Sequence, residues 1–125
     1  WDWWRSIGSP RTVCAPMVKG SELAFRLLVR KHGIQLTYTP MVSAKAFLAM
    51  GSEQQRAFME PSQEDRPLIV QFCCNEPDEF LQAALLVQDY CDAVDLNLGC
   101  PKDMGRRYGA ILMEEPLVVR EIVRR

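Results

Sequence analysis

The sequence predicts an α/β fold built on parallel strands. Two observations predict it. Short, apolar, β-prone runs alternate with amphipathic helical stretches four times along the chain. Such alternation requires crossover helices, and crossover helices make neighbouring strands parallel. In addition, no Gly-x-Gly-x-x-Gly follows the first strand-like run, which weakens a dinucleotide-binding arrangement. Two arrangements remain open at this point: a doubly wound open sheet, or part of a (β/α)8 barrel. In a barrel the informative residues lie just after each strand, because function sits at the strands' C-terminal ends.

Thr12-Val13-Cys14-Ala15 reads as the first buried strand, closed by Pro16. Ser21 is placed to cap a helix over 22–32, with Phe25, Leu28 and Val29 as its apolar positions and Gly33 as its stop. Leu36-Thr37-Tyr38-Thr39 is the second strand, closed by Pro40. A short helix over 43–50 follows, then a long polar connection, 51–66, containing some helix. Leu68-Ile69-Val70-Gln71-Phe72 is the clearest strand of the chain. Asn75 or Glu76 caps the next helix, with Pro77 in its first turn and Phe80, Leu81, Ala84 and Leu85 as its apolar face. Residues 93–98 form a fourth strand, and 115–125 a final helix.

The bulk composition bounds the function. A chain of 125 residues with 48% hydrophobic content supports one core. Fifteen basic against 16 acidic residues argue against a dedicated nucleic-acid-binding module, which is usually strongly basic. No apolar run approaches the roughly 20 residues of a membrane span. The start, Trp1-Asp2-Trp3-Trp4-Arg5, has neither the order of a secretory signal nor an initiator methionine, so a fragment is expected. Cys14, Cys73, Cys74, Cys91 and Cys100 contain no C-x-x-C pair, so no metal site is expected. Reduced thiols in an intracellular compartment, cytoplasmic or nuclear, are the simpler reading.

The residues at the strand ends are recognisable as a set. Ala15-Pro16-Met17-Val18, Ser21-Glu22-Leu23-Ala24-Phe25-Arg26, Tyr38-Thr39-Pro40-Met41, Val70-Gln71-Phe72, Asp95-Leu96-Asn97-Leu98-Gly99-Cys100-Pro101 and Tyr108-Gly109-Ala110-Ile111-Leu112 occur in order. In this the chain resembles the tRNA-dihydrouridine synthases over its whole length. Tyr-Thr-Pro-Met and Asp-Tyr-Cys-Asp-Ala most resemble the eukaryotic subgroup acting on uridines 16 and 17 of the tRNA D-loop. The resemblance implies the first half, about four β/α units, of an FMN-binding (β/α)8 barrel. Residues 1–125 would be the N-terminal part of that catalytic domain.

The resemblance also implies a reaction: reduction of the uracil C5=C6 bond in tRNA. NADPH or NADH reduces FMN, hydride passes to C6, and an acidic cysteine protonates C5. Pro16, Met17 and Val18 match the first flavin-contacting loop, and Gln71 the polar residue that hydrogen-bonds the flavin ring. Asn97 matches a substrate-facing position and Cys100 the proton donor. Lys102, Arg106 and Arg107 are either a solvated basic patch or contacts to tRNA phosphates beside the flipped uridine.

These roles suit the residue types. A flavin ring needs an apolar wall and a few fixed polar partners. Pro and Met supply the first, and Gln offers a donor and an acceptor together. A thiol of ordinary pKa, near 8.5, is mostly protonated at neutral pH and can act as a general acid. By type alone Cys100 would be a core residue, as Cys14, Cys73, Cys74 and Cys91 are read to be; its Asn-Leu-Gly-Cys-Pro context reverses that. Asp95 reads as a hydrogen-bonded carboxylate of open role. His32 sits at a helix end and is assigned no chemistry. Trp1, Trp3 and Trp4 are expected to pack an N-terminal segment against the barrel bottom.

Two departures from the family pattern lie near the site: Lys19, where an acidic residue is usual, and a short segment from Lys102 to Tyr108. The flavin-binding lysine and histidine of later strands, the phosphate-gripping loops and the tRNA-binding helical domain fall outside these residues. This chain alone is therefore expected to be inactive. The competing readings are another flavin barrel of the dihydroorotate or dihydropyrimidine dehydrogenase kind, and an inactive fragment with an interaction role.

Overall fold

The structure, a computed structural model, describes residues 1–101 and 107–125. Its centre is β4 (Leu68–Cys73), whose six residues are all buried. On one edge of β4 lie β2 (Leu36–Tyr38), beside Leu68 and Ile69, and β3 (Val42–Ser43), beside Phe72 and Cys73. On the other edge lies β5 (Ala93–Leu96), paired from Ile69↔Ala93 to Phe72↔Leu96. The strand β1 (Val13–Cys14) pairs with β2. Every pairing is parallel.

The elements β2 and β3 are two halves of one strand position. Thr37 faces Leu68, yet Val42 faces Phe72, so one extra residue is accommodated around Pro40. Proline has no N–H to give the ladder, and the break falls where it sits. The expected helix over 43–50 is accordingly shorter: Val42 and Ser43 are strand, and α3 is Ala44–Leu48, with the Ser43 hydroxyl accepting the Ala46 N–H. Counted this way, four strand positions follow one another in chain order across the sheet. A doubly wound sheet reverses its order at a switch point. The sequential order is that of a barrel wall, and it settles the choice the residues alone left open.

Alternation divides the side chains of β4. Val70 and Phe72 point to the helix layer, where Phe47 of α3 lies 5.4 Å from Phe72 and Phe80 lies 6.2 Å from it, ring centre to ring centre. Ile69, Gln71 and Cys73 therefore face the opposite side, the interior of the curved sheet. The helix α5 (Pro77–Val87) buries Phe80, Ala83 and Val87. Phe80 lies on the expected face, with Leu81 and Ala84 half-buried beside it, whereas Leu85 is exposed and Ala83 and Val87 take the buried positions at i+3 and i+7. The connection 51–66 holds α4 (Ser52–Met59) and a 3-10 turn, Gln63–Asp65. Further on lie a 3-10 segment, Gly109–Glu114, which the periodicity does not announce, and α6 (Pro116–Arg124).

The helix α2 (Leu23–Lys31) departs most from its pattern. Its fully buried residue is Arg26, while Leu28 is exposed. Arg26 donates Nε–H to Asp65 Oδ2 at 2.6 Å and Nη1–H to the Ser21 carbonyl at 2.7 Å. Arg30 donates to Asp65 Oδ1 at 3.0 Å and to the Pro67 carbonyl at 2.7 Å. The Thr37 hydroxyl also donates to Asp65 Oδ1, at 3.0 Å. One buried carboxylate thus ties α2, the start of β2 and the approach to β4. Ser21 does not cap α2 as expected. Glu22 is the N-cap residue, and the Ser21 hydroxyl bonds the Met17 backbone instead.

The N-terminal α1 (Asp2–Ser6) is held at the start of β5, the bottom of the sheet: the Trp3 indole N–H donates to the Asp92 carbonyl at 3.1 Å. Trp1 is out in solvent.

Asp65→Ala is expected to destabilise the protein by about 3–5 kcal/mol, because it leaves the buried Arg26 charge uncompensated. The denaturant midpoint measures this. Asp2→Ala, which removes an exposed ion pair of the kind that contributes about 0–1 kcal/mol, is the control.

Candidate active site

The site forms where β4 and β5 run side by side with Gln71 opposite Asp95. Both residues face the sheet interior, since their neighbours Val70, Phe72, Val94 and Leu96 pack into the helix layer. Gln71 donates Nε2–H to Asp95 Oδ2 at 2.6 Å. Asn97, two residues beyond Asp95, donates Nδ2–H to Gln71 Oε1 at 2.9 Å. The strand stops at Leu96, although the sequence pattern carries it to Leu98. Asn97 stops it: its Oδ1 accepts the backbone N–H of Gly99 at 3.2 Å and of Cys100 at 2.9 Å. This side-chain turn competes with the ladder, and it sets the start of the Cys100 loop.

A second contact secures Cys100 from the far side. Its carbonyl accepts the Ala110 N–H at 2.9 Å. Gly109, at φ +71°, makes this approach possible: a Cβ there would strike the Cys100 carbonyl and come within 3.1 Å of Cys100 Cβ. Gly109 thus has both reasons to be glycine, a left-handed backbone and no room. Tyr108, buried beside it, hydrogen-bonds Cys73.

Cys73 follows Gln71 on the same side of β4 and is buried, as expected of a core cysteine. Burial pushes its thiol up to about 11, opposed by the Tyr108 hydrogen bond and reinforced by the neighbouring thiols Cys74 and Cys100. Cys91 is likewise pushed to about 11 by burial. Tyr38 lies beside Ile69 in the ladder and so shares its interior face, and its hydroxyl is raised by burial first and then by the Asp95 charge. Tyr38, Tyr108 and Gly109 lie in segments that carry the family resemblance but are assigned no site role there, and Cys73 reads as core. Alternation along β4 gives the only sequence signal for Cys73.

Pro16, Met17 and Val18 form the loop leaving β1. Met17 N–H donates to Ser21 Oγ at 3.0 Å, and the Gly20 and Ser21 N–H groups return to the Met17 carbonyl at 3.1 and 3.0 Å. This closed turn leaves Met17 and Val18 exposed, 39% and 62%. Lys19 occupies its left-handed corner at φ +59° and is exposed. Arg107 pairs with Glu115 at 2.7 Å, so its charge is engaged within the chain. Lys102 and Arg106 lie outside the described residues.

Among the described residues no group of three or more His, Cys, Asp or Glu side chains could hold a metal, and no helix is long and apolar enough to cross a membrane.

The fold is a parallel α/β barrel wall that ends its fourth strand in the Cys100 turn, and the family model "Dihydrouridine synthase (Dus)" matches residues 13–125. The chain belongs to this family. Among individual proteins it is 56% identical over 116 residues to the tRNA-dihydrouridine(16/17) synthase (NAD(P)(+))-like protein of Rattus norvegicus, a match covering 90% of this chain and 26% of that protein. It is 48% identical to the tRNA-dihydrouridine(16/17) synthase (NAD(P)(+)) of Saccharomyces cerevisiae, covering 94% and 29%. It is 46% identical to the tRNA-dihydrouridine(20a/20b) synthase (NAD(P)+)-like protein of Mus musculus, covering 90% and 35%. The chain thus spans about a quarter to a third of the curated relatives it matches.

Two outcomes are expected. At pH 8, Cys73 and Cys91 should alkylate with iodoacetamide about a hundredfold more slowly than a cysteine in an unstructured peptide, from the thiolate fraction alone. Their rates should climb only as pH approaches 11, as mass-mapped labelling would read. Gly109→Ala should destabilise by about 1–3 kcal/mol through strain at a positive φ. It should also expose the Ala110 amide to hydrogen exchange.

Proposed function

We propose that the protein carrying this segment is a tRNA-dihydrouridine synthase, in which residues 1–125 form the N-terminal part of the catalytic barrel and Cys100 is the acid that protonates C5 of a D-loop uracil. The observation that carries this reading is the hydrogen-bonded path from Gln71 through Asn97 to the Cys100 backbone. It joins the amide proposed to meet the flavin to the loop proposed to meet the uracil. The identities to synthases of the 16/17 and 20a/20b groups support the substrate class.

The residues fit FMN by their chemistry. Met17 and Val18 present apolar surface at the end of β1. Gln71, after its bonds to Asp95 and Asn97, still has one N–H and one carbonyl lone pair to offer a polar ring edge. Bound there and reduced by NADPH or NADH, FMN would supply the electron pair and hydrogen that reach uracil C6. The chain's own part is to hold and deliver a proton. Asn97 and the Gly109–Ala110 contact fix the Cys100 backbone from both sides. The thiol S–H bond breaks as the new C–H bond forms at C5, leaving a thiolate to be reprotonated from solvent. Arg107 would reach a tRNA phosphate only by leaving Glu115.

In the full-length protein, Cys100→Ala should leave NADPH-driven flavin reduction within about twofold and slow flavin reoxidation by unmodified tRNA about 10²–10⁴-fold, the range of one lost general acid. Stopped-flow absorbance separates the two steps. Free uracil or dihydroorotate turning over faster than tRNA would reject the tRNA assignment.

A further inference from the structure

Asp95 has no part in the reaction just described, yet it ends the hydrogen-bonded path. Its Oδ2 accepts from Gln71, Gln71 Oε1 accepts from Asn97, and Asn97 Oδ1 accepts from the Gly99 and Cys100 amides. Every donor along this path points the same way. A carboxylate can only accept, and backbone N–H groups can only donate. The two amide side chains between them therefore have one consistent orientation. Turning either by half a revolution would set donor against donor or oxygen against oxygen.

We propose that Asp95 is a positioning residue: as the terminal acceptor of a directional amide relay it fixes which end of Gln71 faces the flavin side and, through Asn97, holds the turn carrying Cys100. The inference rests on Cys100 being the acid. The register that pairs Gln71 with Asp95 builds the relay into the sheet. It couples the two halves of the site without either touching the other directly. A carboxylate that merely filled space would have no preference for the polarity of its neighbours.

Polarity reversal tests this in the full-length protein, by mass-mapped iodoacetamide labelling of Cys100 in the folded state, with Cys73 and Cys91 as internal references. Asp95→Asn alone keeps an acceptor oxygen for Gln71, so the Cys100 rate should stay within about twofold of wild type. Asn97→Asp alone leaves Gln71 Oε1 against a second acceptor. The turn should loosen and the Cys100 rate rise about tenfold, within the usual range of coupling between contacting residues. The double variant Asp95→Asn, Asn97→Asp can run the relay backwards. The amide introduced at position 95 donates to Gln71, and Gln71 donates to the carboxylate introduced at position 97. That carboxylate still accepts the turn amides. The Cys100 rate of the double variant should return to within about twofold of wild type.

Asp95→Leu, which offers no acceptor, should behave like Asn97→Asp, and Asp95→Asn should rescue that loss. Additive effects, with the double variant no closer to wild type than Asn97→Asp, overturn the relay. If Asn97→Asp fails to fold, the double variant should recover a native denaturant midpoint, and its failure to do so overturns the proposal equally. Absence of tRNA-dependent flavin reoxidation in the wild-type protein would instead reject the proposed function, while the labelling pattern would still report on the relay.

Discussion

The buried Asp65 carboxylate is the constraint on which this arrangement rests. It receives Arg26, Arg30 and Thr37, and so joins a helix, the beginning of β2 and the approach to β4 at one point. Such a cluster contributes little net stability compared with an apolar replacement of equal volume, because desolvating the charges offsets their attraction. Its effect is on specificity. Three donors converge on two oxygens in only one relative placement of α2 and the strands. With β2 held against β4, the parallel ladder carries the alignment upward, and β5 on the other edge brings Asp95 opposite Gln71.

From there the site is assembled by direction as much as by distance. The strand interior supplies Gln71, Asp95 and Asn97. Their bonds run in one sense to the amides of Gly99 and Cys100. The far side of the cysteine turn is secured at Ala110, which Gly109 lets come close. The proposed acid is thus held at both ends by backbone contacts that do not use its thiol. That division suits a group that must change its protonation state, because these contacts do not depend on the S–H proton. Cys73, two residues beyond Gln71 on the same strand, shows the contrast. Its thiol is buried, tied to Tyr108 and pushed up to about 11.

Much of this is readable in the chain without coordinates. The strand centred on Val70 is apolar but for Gln71, and a run that apolar is buried on both faces. Gly99 and Pro101 announce a turn after the fourth strand, because both disfavour continuing one; that Asn97 anchors it, instead of lying in the strand, is seen only in the fold. The expectations that fail do so for one reason. Spacing alone counts Leu85 of α5 inward although it is exposed, and counts Leu28 of α2 inward although Arg26 is the buried residue. Hydrophobic spacing marks which stripe could be buried, and cannot report a charge whose partner lies 39 residues further along. The break at Pro40 that yields β3, and Ser21 serving Met17 rather than α2, are likewise choices between local options made by the surrounding structure.

By itself, then, the sequence determined the alternation of strands and helices, the cysteine turn after the fourth strand and the segments that carry the family resemblance. These are local properties: side-chain period, turn propensity and residue type. The tertiary structure alone decided that the strands lie in sequential order, that Asp95 faces Gln71, and that Cys73, Tyr108 and Gly109 close around Cys100. Those depend on register between segments distant in the chain. Register is set by the fit of whole faces and by buried polar groups finding their partners, and no single segment carries that information.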